Sequence, residues 1–230
     1  MFTKAASRIA FVIASLAGSL HVAPAAAQLV QDVVTVATVS GFGTVDVPVY
    51  IRDVSGTSLG IDQPPGSRIQ SYSIKVNYTP GVSSVTFSRA GITAALTPSF
   101  ETSPSSAGSI ALLGNFQEST NLIPFTLNAA IPGNQVAHLL VTIPQAVAPG
   151  TVISLTLDPA LTQLTDEAGS PATVETAGNA RLALVNGSIT VLAPPASPAI
   201  PIPALGVMAL LVLAISVGLV AMKVRSARLT

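Results

Sequence analysis

The chain has no cysteine and no tryptophan, and only two histidines, His21 and His138. Without cysteine there is no disulfide framework and no thiolate chemistry, so any fold must rest on its apolar core. One or two histidines cannot furnish the ligand set of a zinc site. Charge is equally scarce, with ten basic and ten acidic residues in 230. The neutral total hides an uneven layout. Lys4 and Arg8 lie near the N-terminus, and Lys223, Arg225 and Arg228 near the C-terminus. Between them five basic residues face all ten acidic ones, a net charge of −5. A sparse acidic surface argues against nucleic acid or anionic lipid as a partner.

Long apolar runs occur only at the two ends. Lys4 and Arg8 precede an apolar stretch from Ile9 to Leu20, and Ala25 and Ala27 supply the small-x-small pattern of a cleavable signal peptide, residues 1–27. At the other end, Ala204 to Met222 is apolar and uncharged. Its nineteen residues would span about 28 Å as a helix, close to the ~30 Å bilayer core, and Ser216 can bond back to its own helix. The basic residues after it place the tail, 223–230, in the cytoplasm. The sequence therefore predicts an exported domain, residues 28–193, a stiff proline-rich linker at 194–203 and one transmembrane helix at 204–222.

Within the exported part, hydrophobicity alternates with period two. Val45, Val47, Val49 and Ile51 share one face; Tyr72, Ile74, Val76 and Tyr78 another; Leu139, Val141 and Ile143, then Ile153, Leu155 and Leu157, then Ile189 and Val191 repeat the pattern. Weaker runs at 33–39, 85–88, 109–113 and 124–128 bring the total to about nine strands. Turn chemistry separates them, including a candidate two-residue hairpin at Asn186-Gly187. Pro48 favours an edge or bulge, having no N–H for a ladder. No helical period of useful length appears before residue 204. The prediction is an all-β antiparallel sandwich of about nine strands.

Chemistry-bearing constellations are few. A Ser-His-Asp site would have to be built on His138 in mid-strand, without a sharp nucleophile turn, so an outward-facing strand residue is the preferred reading and the chain is not expected to be an enzyme. Asp158, Asp166 and Glu167 offer hard oxygen ligands that suit calcium, but the EF-hand series is absent and a solvated turn is favoured. Two of the three tyrosines, Tyr72 and Tyr78, fall on the core face, which leaves Tyr50 as the outward aromatic for a glycan contact, beside the loop 60–70. Asn77-Tyr78-Thr79 and Asn186-Gly187-Ser188 match the N-glycosylation pattern, but strand-end and turn roles account for them better.

The order of several segments resembles cohesin domains: TVDVPVYIRDV at 44–54, SYSIKVNYTPGV at 71–82 in place of the family's "YDP-x-V" segment, VAHLLVTI at 136–143, the turn Ala148-Pro149-Gly150, and NGSITV at 186–191. The likeness covers about residues 30–192 and implies a nine-stranded jelly-roll sandwich. It also implies a protein partner, a dockerin-like module, bound through the sheet face bearing Ser71, Ser73, Lys75 and Asn77. Two positions depart from the family: its polar Asn/Asp pair reads Ser71 and Ser73, and the aspartate of "YDP" is Thr79. The segment Ile200-Pro201-Ile202-Pro203-Ala204, with the span and basic end, resembles the PEP-CTERM/VPLPA class of sorting tails, and more loosely the IPTL kind. That likeness implies an exosortase-like processing enzyme and either an inner-membrane or a cell-surface location. A polysaccharide is the alternative ligand.

Overall fold

A computed structural model describes residues 30–79, 82–168, 173–196, 206 and 211–217. The strands are β1 (Asp32–Val36), β2 (Thr38–Gly41), β3 (Thr44–Arg52), β4 (Ser71–Tyr78), β5 (Ser84–Arg89), β6 (Phe100–Thr102), β7 (Ser105–Ser106) and β8 (Ser109–Asn115). They continue as β9 (Asn134–Thr142), β10 (Val152–Leu157), β11 (Gln163–Thr165), β12 (Glu175–Thr176), β13 (Leu182–Val185) and β14 (Gly187–Val191). A 3-10 turn at Gly91–Thr93 and a four-residue helix α1 (Glu118–Asn121) complete the described elements of the domain.

Two sheets form. The first runs β13-β1-β3-β9-β5. In the second, β10 and β11 lie end to end along one side of β4, while β8 covers the other side and carries β6 and β7 beyond it. β14 and then β2 extend this sheet from β10, and β12 extends it from β11. Period-two alternation does what it predicts: Val45, Val47, Val49 and Ile51 turn inward from the first sheet. Leu139 joins them from β9, while Tyr72, Ile74 and Val76 turn inward from the second sheet with Leu112, Ile153 and Leu155. Each such side chain contributes about 2 kcal/mol on burial. Two of them match the roughly 3 kcal/mol that a disulfide adds, so a cysteine-free core suffices.

The topology corrects four expectations. The sandwich is mixed, because β1 runs parallel to β13 and β2 parallel to β14. The 33–39 run is two strands, divided at Ala37, one in each sheet. Asn186-Gly187 closes no hairpin: β13 and β14 also lie in different sheets, and Asn186 instead accepts a 2.9 Å bond from the Leu157 amide. The 124–128 run is not a strand. Pro124 has no amide to donate, Asn128 adopts φ 52°, and Ile123 and Phe125 bury their side chains from irregular backbone. Fourteen segments stand where about nine were expected, since 33–39 divides, 124–128 drops out, and β13 and the two- or three-residue β6, β7, β11 and β12 are added.

Pro48 sits in β3, between β1 and β9, with a register shift beside it at Val49/Tyr50. Its carbonyl accepts from Ala37, so its missing N–H points to the same side, where β1 leaves the sheet. The edge that proline needs is local. At the same place Gly187 passes against the backbone of Val36 and Ala37, and a Cβ there would overlap both carbonyl oxygens.

The signal segment 1–27, the sorting segment 200–204 and the tail 223–230 lie outside the described residues, as does most of the 204–222 span. Residues 211–217 are helical and exposed, with Ser216 Oγ donating to the Val212 carbonyl at 2.7 Å. Among the described residues no helix is long and apolar enough to cross a membrane.

Gly187→Ala is expected to destabilise the domain by on the order of 3 kcal/mol, since backbone and not a flexible side chain meets the added methyl. A urea denaturation midpoint against wild type checks this.

Candidate functional site

The second sheet presents its outer face through β4 and β8. Ser71, Ser73, Lys75 and Asn77 are half-buried there, alternating with core residues. They stand opposite Asn115, Leu113, Ala111 and Ser109 of β8. Hydroxyls and an amide from one strand thus lie beside methyl groups from the next.

Two adjoining grooves cut this face. The larger, about 310 Å³, is bordered by Ser73, Lys75, Ser106, Ala111, Leu113 and Leu161. The smaller, about 170 Å³, lies between Ser71, Ser73, Phe100, Asn115 and Gln163. Their relief comes from the break between β10 and β11. There the chain at 158–162 leaves the ladder yet stays pinned to β4. Ser73 Oγ donates to the Leu161 carbonyl at 2.9 Å, the Asp158 amide to the Lys75 carbonyl at 2.9 Å, and the Lys75 amide to Thr162 Oγ1 at 3.3 Å. Leu161 is held up beside the groove, half exposed.

Lys75 Nζ reaches Asp158 Oδ2 at 3.3 Å. Burial acts to raise the Asp158 carboxyl, but the Ala160 amide and Lys75 outweigh it and hold the group below the ordinary range. The cation on this face is therefore already paired. Phe100 is the exposed aromatic of the grooves, set beside Asn115 on β6. A three-residue strand shows no periodicity, so nothing in the sequence marks Phe100 as outward-facing.

The other candidates lie elsewhere. Tyr50 is on the first sheet, between Thr35 and Gln135, half-buried. The 60–70 loop is tied down instead to Asp53 and to Glu118, whose carboxylate accepts from Gly66 and pairs with Arg68 at 3.4 Å. His138 does face outward, and its Nδ1 lies 3.1 Å from Asp46 Oδ2 on the open face of the first sheet. Of the calcium candidates, Asp158 is engaged by Lys75 and Glu167 accepts from the Glu118 amide. Asp166 is buried rather than in a solvated turn, and accepts from Thr173 Oγ1 at 2.6 Å. No group of three or more metal-ligating side chains gathers among the described residues. Thr79 Oγ1 accepts from the Ser154 amide, so both glycosylation-like triplets hold structural bonds.

No family model and no curated protein matches this chain. Among solved structures it is similar to cohesin domains. The third ScaC cohesin of Acetivibrio cellulolyticus, solved with the ScaB dockerin, is 19% identical over 71% of this chain and 100% of that one, at a TM-score of 0.49. The OlpA cohesin of Clostridium thermocellum, in a type I cohesin–dockerin complex, is 14% identical over 70% and 99%, at 0.49. A non-cellulosomal cohesin of the archaeon Archaeoglobus fulgidus is 12% identical over 71% and 92%, at 0.44.

Replacing Lys75 by Met removes the partner that holds the Asp158 carboxyl down. Its titration, followed by carboxyl NMR, is expected to move upward, toward the ordinary value of 3.8. A group held below its unfolded value stabilises above that value and loses the contribution as pH falls through the folded one. The variant should therefore lose part of the wild type's decline in stability at acid pH.

Proposed function

We propose that this chain is an exported, non-catalytic binding module that recognises a protein partner through the outer face of β4 and β8. The observation that carries the reading is the pair of adjoining grooves on that face, with hydroxyl and amide groups from β4 set against Ala111, Leu113 and Leu161. Such a surface offers directional hydrogen bonds around an apolar centre, the anatomy of a protein interface. The ordered likeness of segments 44–54, 71–82, 136–143 and 186–191 to cohesins supports a dockerin-like module as the partner class. Ser71, Ser73, Lys75 and Asn77 are assigned as contacts, with Phe100, Leu113 and Leu161 added.

The domain is displayed outside the cytoplasm. The signal-like segment 1–27 and the apolar run 204–222 support export followed by retention at the inner membrane. The Ile200–Ala204 segment supports recognition by an exosortase-like enzyme and transfer to the cell surface. Calcium near Asp158, Asp166 and Glu167 is not part of this reading, since each carboxylate has a protein partner. Glycan binding centred on Tyr50 is the competing reading, and it places the contact on the opposite sheet.

Affinity capture from envelope extracts of the source cell, followed by titration of the recovered protein, tests the proposal. Leu113→Asp and Ser73→Arg should each weaken binding by tenfold or more, about 1.4 kcal/mol, while Tyr50→Ala leaves it unchanged. Sugar binding on a glycan array that survives both face variants and vanishes with Tyr50→Ala would assign the chain to the polysaccharide class instead.

A further inference from the structure

Three carboxylates that line neither groove are completely buried: Asp32 on β1, Asp53 just after β3, and Glu175 on β12. Each uses one oxygen well. Asp32 Oδ1 accepts from the Val54 amide at 2.7 Å, and Asp53 Oδ2 from the Ile61 amide at 2.8 Å. Glu175 Oε1 takes three bonds, from the Ser58 amide, the Ser58 hydroxyl and the Leu59 amide, at 2.8–3.1 Å. The second oxygen of each acid, Asp32 Oδ2, Asp53 Oδ1 and Glu175 Oε2, is buried with no donor. Yet Asp32 and Glu175 hold the two ends of one turn, which Thr57 Oγ1 closes on the Val54 carbonyl at 2.9 Å, and the two carboxyls act directly on one another. Two buried acceptor oxygens without a donor repel, and two buried anions side by side cost far more than one. One proton between them removes both problems.

We infer that Asp32 and Glu175 share a single proton, and that this acid–carboxylate pair is a pH-sensitive clasp joining β1, the loop after β3 and β12. The bond runs from one carboxyl O–H to the facing carboxylate oxygen and satisfies both orphaned atoms at once. Through Val54, Ser58 and Leu59 it fastens the loop to β1 of the first sheet and to β12 at the edge of the second. Losing the proton leaves two buried anions facing each other, and the loop and β12 are the parts that can move apart.

The surroundings reinforce this. Burial first, then the Glu175 carboxyl, push the Asp32 group far above the ordinary carboxylate range. Burial, with the charges of Asp62 and Glu175, pushes Asp53 up to about 6. Asp53 adds its charge to Asp32, and Asp62 faces Asp53 across Gly60, its Oδ2 accepting from Ser55 Oγ at 3.0 Å. Arg181, ahead of β13, is the nearby cation, but its Nη1 donates to Ser58 Oγ at 3.2 Å. An acid whose folded value is raised binds more protons folded than unfolded between the two values. Its stabilisation is therefore complete below the unfolded value of 3.8 and is lost as pH rises toward the raised one.

Thermal melts of the intact chain, kept in mild detergent for its apolar tail, test the clasp across about pH 5 to 10. The wild-type midpoint should fall with rising pH, by on the order of 5 °C. Amide exchange in segment 54–61, corrected for intrinsic rate, should accelerate over the same interval. Asp32→Asn places an amide N–H where the shared proton sits, as does Glu175→Gln, so either single variant should keep only the decline that Asp53 contributes near pH 6 and melt at a nearly constant temperature above about pH 7. The double variant sets donor against donor, because each amide oxygen is committed to backbone N–H groups, and should melt below both singles at every pH. A wild-type midpoint level or rising over this range overturns the inference, even where a variant fails to fold. So does a double variant as stable as the singles. Millimolar calcium raising the wild-type midpoint at pH 8, with EDTA reversing it, would likewise overturn it by showing that a cation and not a proton bridges the pair. None of these readouts involves the partner-binding face, so the two proposals stand or fall separately.

Discussion

The sandwich depends on one close approach, where Gly187 lies against the backbone of Val36 and Ala37. Here the chain changes sheets twice, side by side. β1 passes into β2 through Ala37, and β13 passes into β14 through Asn186. Because the two crossings run in parallel, each strand of one pair finds its mate in the other pair on both sides of the switch. The backbone groups at a crossing would otherwise be stranded between sheets, where burial without a partner is costly. Asn186 meets part of that need through the Leu157 amide, and Pro48 fits because it has no N–H to lose on the side where β1 departs. A proline, an asparagine and a glycine, far apart in sequence, serve one junction.

The grooved face follows from a second irregularity in an otherwise regular sheet. A continuous strand beside β4 would leave a flat surface, with its side chains at one level. Dividing that strand into β10 and β11 releases residues 158–162, and bonds from Ser73, Lys75 and Thr162 then fix the released segment in place. The polar residues of β4 thus shape the surface as much as they decorate it. Lys75 is occupied with Asp158, and Ser73 with the Leu161 carbonyl. What they leave available is a firmly held apolar ledge, with Leu113 and Leu161 beside the exposed ring of Phe100. Preorganisation of this kind lowers the ordering cost of binding.

Period two made the core legible. The inward sets of β3, β4, β9, β10 and β14 all follow it, and so does the outward set at Ser71, Ser73, Lys75 and Asn77. Periodicity says which way a side chain points but nothing about which strand lies next to it. Hence Asn186-Gly187 looked like a hairpin turn while in fact its flanking strands belong to different sheets. Strands of two or three residues carry no period at all, which is why β6 and Phe100 went unseen. Hydrophobicity alone misled at Ile123–Phe125, where both apolar side chains are buried but Pro124 denies the segment a ladder.

Charge was the least legible property, since a one-dimensional count treats every carboxylate as ionised and exposed. Asp32, Asp53 and Glu175 are not on the surface, although they make up three of the ten acids behind the net −5 of residues 28–203. Of the rest, Asp158, Glu118 and Glu101 are matched by Lys75, Arg68 and Arg89. The field this domain presents to a partner is accordingly far weaker than its composition implies. On the grooved face the one lysine is neutralised, so long-range steering has little to act on. On the proposed reading, recognition there comes from shape and short-range hydrogen bonding to hydroxyls. That places the discriminating information in the relief set by the 158–162 segment rather than in the sign of any charge.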